Sequence, residues 1–444
     1  MEKIVRTKYG KVKGLVTDKC VSFVSIPYAT TKRFSDPAPY FFDDVFDATK
    51  KQVNCPQRCQ YTKENPGYHK FFAKEFEQNP DSNFIEDYMT LSITTPIDKK
   101  NCPVIAYIHG GSFENGCVED VPFGQNNTYT DKGIIFVSIG YRLNVFGLYG
   151  NNSYGLKDQA YALKWINENI SSFGGSAEDV VLMGQSAGAM SINSLLLDND
   201  LKGLFKAAIM LSGYGTIPKI VGPRRATDGK TMAFWQRVMK SAGCDNDQQL
   251  LKVDSETLWR SWYKERNTKI PMPAKAPGLD GVIIKDEPQK ILKKKLDIDV
   301  PILFGIVGQD MFPYMIVDLG FRAALRKEKI GHKPVYGYFF DHIMPGNSYK
   351  CYHGCDLWYV FKNMDKSWRK FDANDCKLSD TMVQYITNFI YNCDPNGQEL
   401  ELWQPISKKH QKLRYFSDCK QTEISRFKAR NIIWKYFLTD KGPI

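Results

Sequence analysis

Short apolar, β-branched runs that alternate with an amphipathic helix constrain this chain more than any other feature. Residues 103–108 (PVIAYI), 134–139 (IIFVSI) and 180–183 (VVLM) each read as buried strands. Between the last two lies 156–170, LKDQAYALKWINENI, whose apolar Leu156, Ala160, Leu163 and Ile166 stand three or four residues apart. That spacing predicts a helix with one buried face. Farther on, 300–307 (VPILFGIV) and 335–340 (VYGYFF) predict two more strands. Strand, helix and strand repeated this way imply right-handed crossovers. The expected fold class is therefore α/β, a central, mostly parallel sheet with helices on both faces. At the start, charged and apolar residues alternate through MEKIVRTKYGKVKGLV with a turn at Gly10, which predicts a short hairpin. The 444 residues hold no internal repeat and no Pro/Gly/Ser linker, so one domain over 1–444 with long insertions is expected.

Composition excludes several classes of function. A hydrophobic content of 43% with 25% charged residues suits a soluble globular protein and argues against a disordered chain or a coiled coil. No stretch approaches the roughly 18 apolar residues of a membrane helix. Sixty Lys and Arg against 49 Asp and Glu give a formal net charge of +11. The excess is dispersed, with short runs only at Lys293, Lys294 and Lys295 and at Lys408, Lys409 and His410. A nucleic-acid face would gather it into a stripe interleaved with aromatics, so a solvated surface is expected and nucleic acid is not a partner. Eleven cysteines are too sparse for a disulfide scaffold. Cys55 with Cys59 and Cys351 with Cys355 could in principle offer four thiolates to zinc, but knuckle-type glycines are missing and no metal is expected. The start has no secretory pattern, so the sequons at Asn126, Asn151 and Asn169 carry little weight. The expected compartment is cytoplasmic, or secreted or in the endoplasmic reticulum if the chain is a mature or truncated form.

The chemistry is carried by Gly184-Gln-Ser-Ala-Gly188, which matches G-x-S-x-G. The pattern alone is weak, because a turn serine can merely cap a helix. Here VVLM precedes it and the helix-compatible run 189–197 follows, so the serine should stand exposed on a tight strand-to-helix turn. An acyl-transfer serine also needs donors for an oxyanion. His109-Gly-Gly-Ser-Phe113 follows the PVIAYI strand, and the N–H groups of Gly110, Gly111 and Ala187 can converge there. The base should lie downstream, among His332, His342, His353 and His410. His332 precedes its strand, and His410 sits in a charged run. His342 and His353 both follow the strand; the Gly-containing loop and apolar helix expected after His353 favour it. Asp310, after the VPILFGIV strand, is the candidate acid.

These residues bring the chain to a family. It resembles the type-B carboxylesterase/cholinesterase family of α/β-hydrolases along almost its whole length. The matches include Cys55-Pro-Gln57, Glu86-Asp87, His109-Gly-Gly-Ser-Phe113, Tyr141-Arg-Leu143, Gly155-Leu-Lys-Asp-Gln159, Gly184-Gln-Ser-Ala-Gly-Ala189 and His353-Gly-Cys-Asp356. The resemblance implies Ser186 as nucleophile, His353 as general base and Gly110, Gly111 and Ala187 as oxyanion donors, with no cofactor. Gln185, where many members have Glu, looks like the juvenile hormone esterase variant. The chain departs from the family at Asp310, where Glu is usual, at Met311, where Gly is usual, and at Tyr88, where a Cys would pair with Cys55. Asp310 and His353 stand only 43 positions apart, and the family is longer there by helices that wall the acyl pocket. Their absence, placed around Tyr314 to Phe321, implies a smaller or more open pocket. The function expected is a serine esterase acting on small carboxylic esters through an acyl-enzyme. The alternative is a non-catalytic or weakly active binding protein on the same fold.

Overall fold

Among the described residues the apolar runs pair into one mixed sheet of 13 strands. A computed structural model describes residues 1–50, 53–57, 71, 75, 83–118, 127–215, 227–266, 276–311, 313–346, 351–418 and 422–439. The hairpin predicted at the start is β1 (Glu2–Thr7) and β2 (Gly10–Val16), antiparallel, followed by β3 (Cys20–Pro27) and the short β4 (Val45–Asp47). A separate two-stranded sheet joins β5 (Val53–Asn54) to β6 (Asn83–Phe84). The main sheet continues with β7 (Thr90–Pro96), β8 (Cys102–Ile108), β9 (Ile135–Ile139), β10 (Gly175–Gln185), β11 (Ala207–Leu211), β12 (Ile302–Val307), β13 (Val335–Phe340), β14 (Lys412–Phe416) and β15 (Glu423–Ser425). Its order is β1-β2-β3-β7-β9-β8-β10-β11-β12-β13-β14-β15, with β4 beside β2. From β9 to β14 every pairing is parallel; the flanking strands pair antiparallel, except that β4 runs parallel to β2.

Alternation along the central strands splits the core in two. Val104, Ala106, Ile108 and Leu182 face one cluster, which the predicted helix, observed as Tyr154–Asn169, covers with Leu156, Leu163 and Ile166. Ile105, Tyr107, Val181 and Met183 face the other, covered by Ala373–Asn392 through Met382, Ile386 and Phe389. Each Val, Leu, Ile, Phe or Met among them contributes about 1.5–3 kcal/mol on burial, so both faces must be covered before the sheet is stable.

Among the described residues the interval between Asp310 and His353 holds a single crossover helix, Pro313–Lys329, from β12 to β13. Its buried face, Ile316, Val317, Phe321 and Ala324, joins the first cluster. The helix expected after His353 shrinks to one buried turn, Leu357–Val360. Lys362, with φ of 50°, turns the chain away just beyond it. Among the described residues no helix is long and apolar enough to cross a membrane.

Candidate active site

Ser186 sits between β10 and the helix Ala187–Leu195 with φ 54° and ψ −120°. A non-glycine residue there stores about 1–3 kcal/mol of strain. Its N–H donates to the Leu211 carbonyl at 2.8 Å, tying the turn to the next strand. Its side chain makes no cap bond, so it is not there to cap the helix. The flanking glycines are needed for close approach. A Cβ on Gly188 would stand 2.0 Å from the Ile108 carbonyl oxygen, and one on Gly184 would stand 2.7 Å from the Gly188 carbonyl carbon.

The loop after β8 lies directly over this turn. A Cβ on Gly110 would be 3.1 Å from the Ser186 Cβ, and Gly111 has φ of 103°. His109 fixes the loop, its Nδ1 donating to the Gly110 carbonyl at 2.8 Å. A trans peptide sets N–H opposite C=O, so that bond turns the Gly111 N–H to the other side. Burial pushes His109 down to about 4, which keeps it neutral and in this one tautomer. Among the described residues no acceptor takes up the N–H groups of Gly110, Gly111 or Ala187.

Across the sheet edge, Asp310 Oδ1 accepts from His353 Nδ1 at 2.5 Å. The shorter Asp arm therefore reaches the ring. Two backbone donors hold the carboxylate, Met311 N–H at 2.7 Å and Val307 N–H at 3.3 Å, and its side chain is fully buried. The two loops are zipped together: Gln309 N–H donates to the Cys351 carbonyl at 2.8 Å, and Cys351 N–H to Gln309 Oε1 at 3.0 Å. Burial acts to lower His353, but the charge and hydrogen bond of Asp310, with the charge of Asp356, outweigh it and raise the imidazole above its ordinary value.

The structure thus brings Asp310 and His353 together, and sets Ser186 against Gly110. It does not join His353 to Ser186. Its Nε2 instead meets Gln185 Nε2 at 3.2 Å, and among the described residues no hydrogen bond links Ser186 Oγ to the ring. The other downstream histidines are engaged elsewhere. His342 is held by Asp375 at 2.6 Å and by Asp418, His332 lies 3.5 Å from Asp299, and His410 lies 3.2 Å from Glu423.

Sequence reasoning gave no role to Gln185 toward His353, nor to Asp356. The latter is fully buried, accepts from Tyr338 OH at 2.6 Å, and is pushed up to about 6 by burial. Its place three residues after His353 was the only sequence signal. The quoted motif around Arg142 is structural: the guanidinium grips Asp158 through Nε at 2.8 Å and Nη2 at 2.6 Å, both side chains buried.

The cysteine pairs read differently in space. Cys351 Sγ donates to the Phe340 carbonyl at 2.9 Å and lies 3.7 Å from Cys355 Sγ. Cys55 is a free, buried thiol that accepts from Leu143 N–H, and Tyr88 is fully buried. Cys59 and Asn126 lie outside the described residues. Asn151 and Asn169 are buried, and Asn169 is bonded to Lys8 and Trp165, which leaves a glycan no room.

Known proteins share this architecture. The Carboxylesterase family profile matches residues 1–329 and 308–432. The chain is 29% identical over 427 residues to the para-nitrobenzyl esterase of Bacillus subtilis (strain 168), covering 82% of this chain and 83% of that one. It is 32% identical over 340 residues to the acetylcholinesterase of Bungarus fasciatus, covering 71% and 54%. A solved carboxylesterase of Geobacillus stearothermophilus superposes with a TM-score of 0.79 over 97% of this chain and 99% of its own, at 23% identity. A solved PNB esterase gives 0.78 over 98% and 99%, at 24%. These likenesses show the α/β-hydrolase fold.

Proposed function

Because the chain belongs to the carboxylesterase family, and is a carboxylic ester hydrolase on that ground, we propose that it works as a serine esterase through an acyl-enzyme. Ser186 Oγ attacks the ester carbonyl while His353 Nε2 takes its proton. Asp310 holds the Nδ1–H tautomer and stabilises the imidazolium. The N–H groups of Gly110, Gly111 and Ala187 receive the oxyanion; one such donor is typically worth about 3 kcal/mol of barrier. The imidazolium then protonates the departing alcohol. Water, deprotonated by the same ring, cleaves the acyl ester and restores Ser186. None of these steps calls for a metal or an organic cofactor. Uncharged carboxylic esters suit this site best, since the proposed donors are backbone amides that orient a carbonyl without ion pairing.

The observation that carries the reading is the 2.5 Å contact between His353 Nδ1 and the buried Asp310 carboxylate, at the strand ends where Ser186 also stands. The test compares wild type with Ser186→Ala for fluorophosphonate labelling and hydrolysis of a short p-nitrophenyl ester. Both activities should vanish in the variant. A folded wild-type chain that neither labels nor hydrolyses would instead favour a binding protein on the same fold.

A further inference from the structure

The serine mechanism assigns no task to Gln185, yet its carboxamide stands inside the site. Gln185 is the last residue of β10 and is 6% exposed. Its Nε2 lies 3.2 Å from His353 Nε2. Its Oε1 lies so near the oxyanion loop that a Cβ on Gly110 would be 2.6 Å from it. One planar amide therefore reaches from the glycine loop to the imidazole.

The tautomer decides what this contact does. Asp310 can only accept when ionised, so Nδ1 carries the proton and Nε2 of the neutral ring offers a single lone pair. The Gln185 amide donates into that lone pair. While it does so, the Ser186 hydroxyl has no acceptor at His353. The carboxamide oxygen lies beside Gly110, while the N–H groups proposed to receive the oxyanion take up no acceptor among the described residues.

We propose that Gln185 is a positioning residue that occupies the base in the resting site, its amide N–H held on His353 Nε2 until substrate arrives. Acylation then begins with His353 Nε2 exchanging Gln185 for Ser186. This rests on the serine mechanism above and deepens it: the side chain holds the base neutral and correctly oriented, at the cost of one hydrogen bond that substrate entry must break.

The test uses the full chain as wild type, Gln185→Met, which keeps length without a donor, and Gln185→Glu, which is isosteric and accepts instead of donating. The rate of fluorophosphonate labelling is followed from pH 5 to pH 9. Gln185→Met should label about three- to tenfold faster at its plateau, the worth of one net hydrogen bond. Gln185→Glu places a carboxylate at Nε2, favours the imidazolium, and should move the acid limb up by about one pH unit or more. A purely structural role would slow both variants without moving the limb. Labelling of Gln185→Met no faster than wild type at equal thermal stability would overturn the proposal. So would a Gln185→Glu profile that superposes on wild type, and that arm stands even if the Met variant does not fold. A wild-type chain whose labelling survives Ser186→Ala would overturn the serine mechanism itself, and this proposal with it.

Discussion

Replacing Asp310 with Asn tests the electrostatics of the site with little change of shape. Both carboxylate oxygens accept a backbone N–H, Oδ1 from Met311 at 2.7 Å and Oδ2 from Val307 at 3.3 Å. An Asn must set its amide group against one of these donors. It will choose the longer contact, at Val307, and keep its oxygen facing Met311 and His353. The Nδ1–H tautomer therefore survives, and what disappears is the negative charge. Opposite charges about 4 Å apart, at an effective dielectric constant of about 20, interact by about 4 kcal/mol. If most of that acts on the imidazolium of the transition state, kcat falls by about three orders of magnitude. KM should change little, because Asp310 is buried beneath the ring and does not meet substrate. The pH profile adds an independent sign. His353 is raised in the wild type, so kcat/KM should be lost as pH falls through a value above about 6.5. Without the carboxylate, burial is opposed only by Asp356, and the acid limb should move down. Hydrolysis of p-nitrophenyl acetate across pH 5–9 measures both quantities. A variant within about tenfold of wild type, or with an unmoved acid limb, would refute the reasoning and remove Asp310 from the relay.

Two other perturbations have computable signs. Asp356 is raised to about 6 in the folded chain, so the stability it contributes is full below its unfolded value of about 3.9 and is lost as pH rises through 6. Near pH 8 the buried anion costs about 3 kcal/mol; Asp356→Asn, which keeps an acceptor for Tyr338, should melt higher than wild type at pH 8 and alike at pH 4 in a thermal scan. Gly188→Ala forces a methyl to within 2.0 Å of the Ile108 carbonyl. It should lose about 3 kcal/mol or fail to accumulate as folded protein, whereas a wild-type denaturation midpoint would show that the turn is looser than the packing implies.

Much of this was legible in the residues, and the reasons are local. PVIAYI, VPILFGIV and VYGYFF announce strands because they are buried on both faces and read as continuous apolar runs. The serine turn was legible because its glycines answer to close backbone contacts that any larger residue would violate. By contrast β7, TLSITTP, is rich in threonine, buried though polar, and carries no apolar run to read. The strand containing VVLM is longer than its apolar run, because it begins at Gly175 with a partly exposed lead-in and an irregular register. The helix expected after His353 is shorter than its apolar run suggests: four apolar residues there are buried as a single turn, and burial alone does not set helix length. The contact of Gln185 with His353 joins positions 168 residues apart and depends on a side-chain rotamer, so no local pattern could forecast it.

The proposed mechanism requires a covalent bond to one oxygen, Ser186 Oγ. Wild-type protein should be quenched during turnover of p-nitrophenyl acetate, digested, and mapped by mass spectrometry, beside Ser186→Ala. An acetyl ester should appear on the peptide holding Ser186, decay at the steady-state turnover rate and be absent from the variant. Turnover with no acetylated peptide, or with the acetyl group on another side chain, would contradict that mechanism.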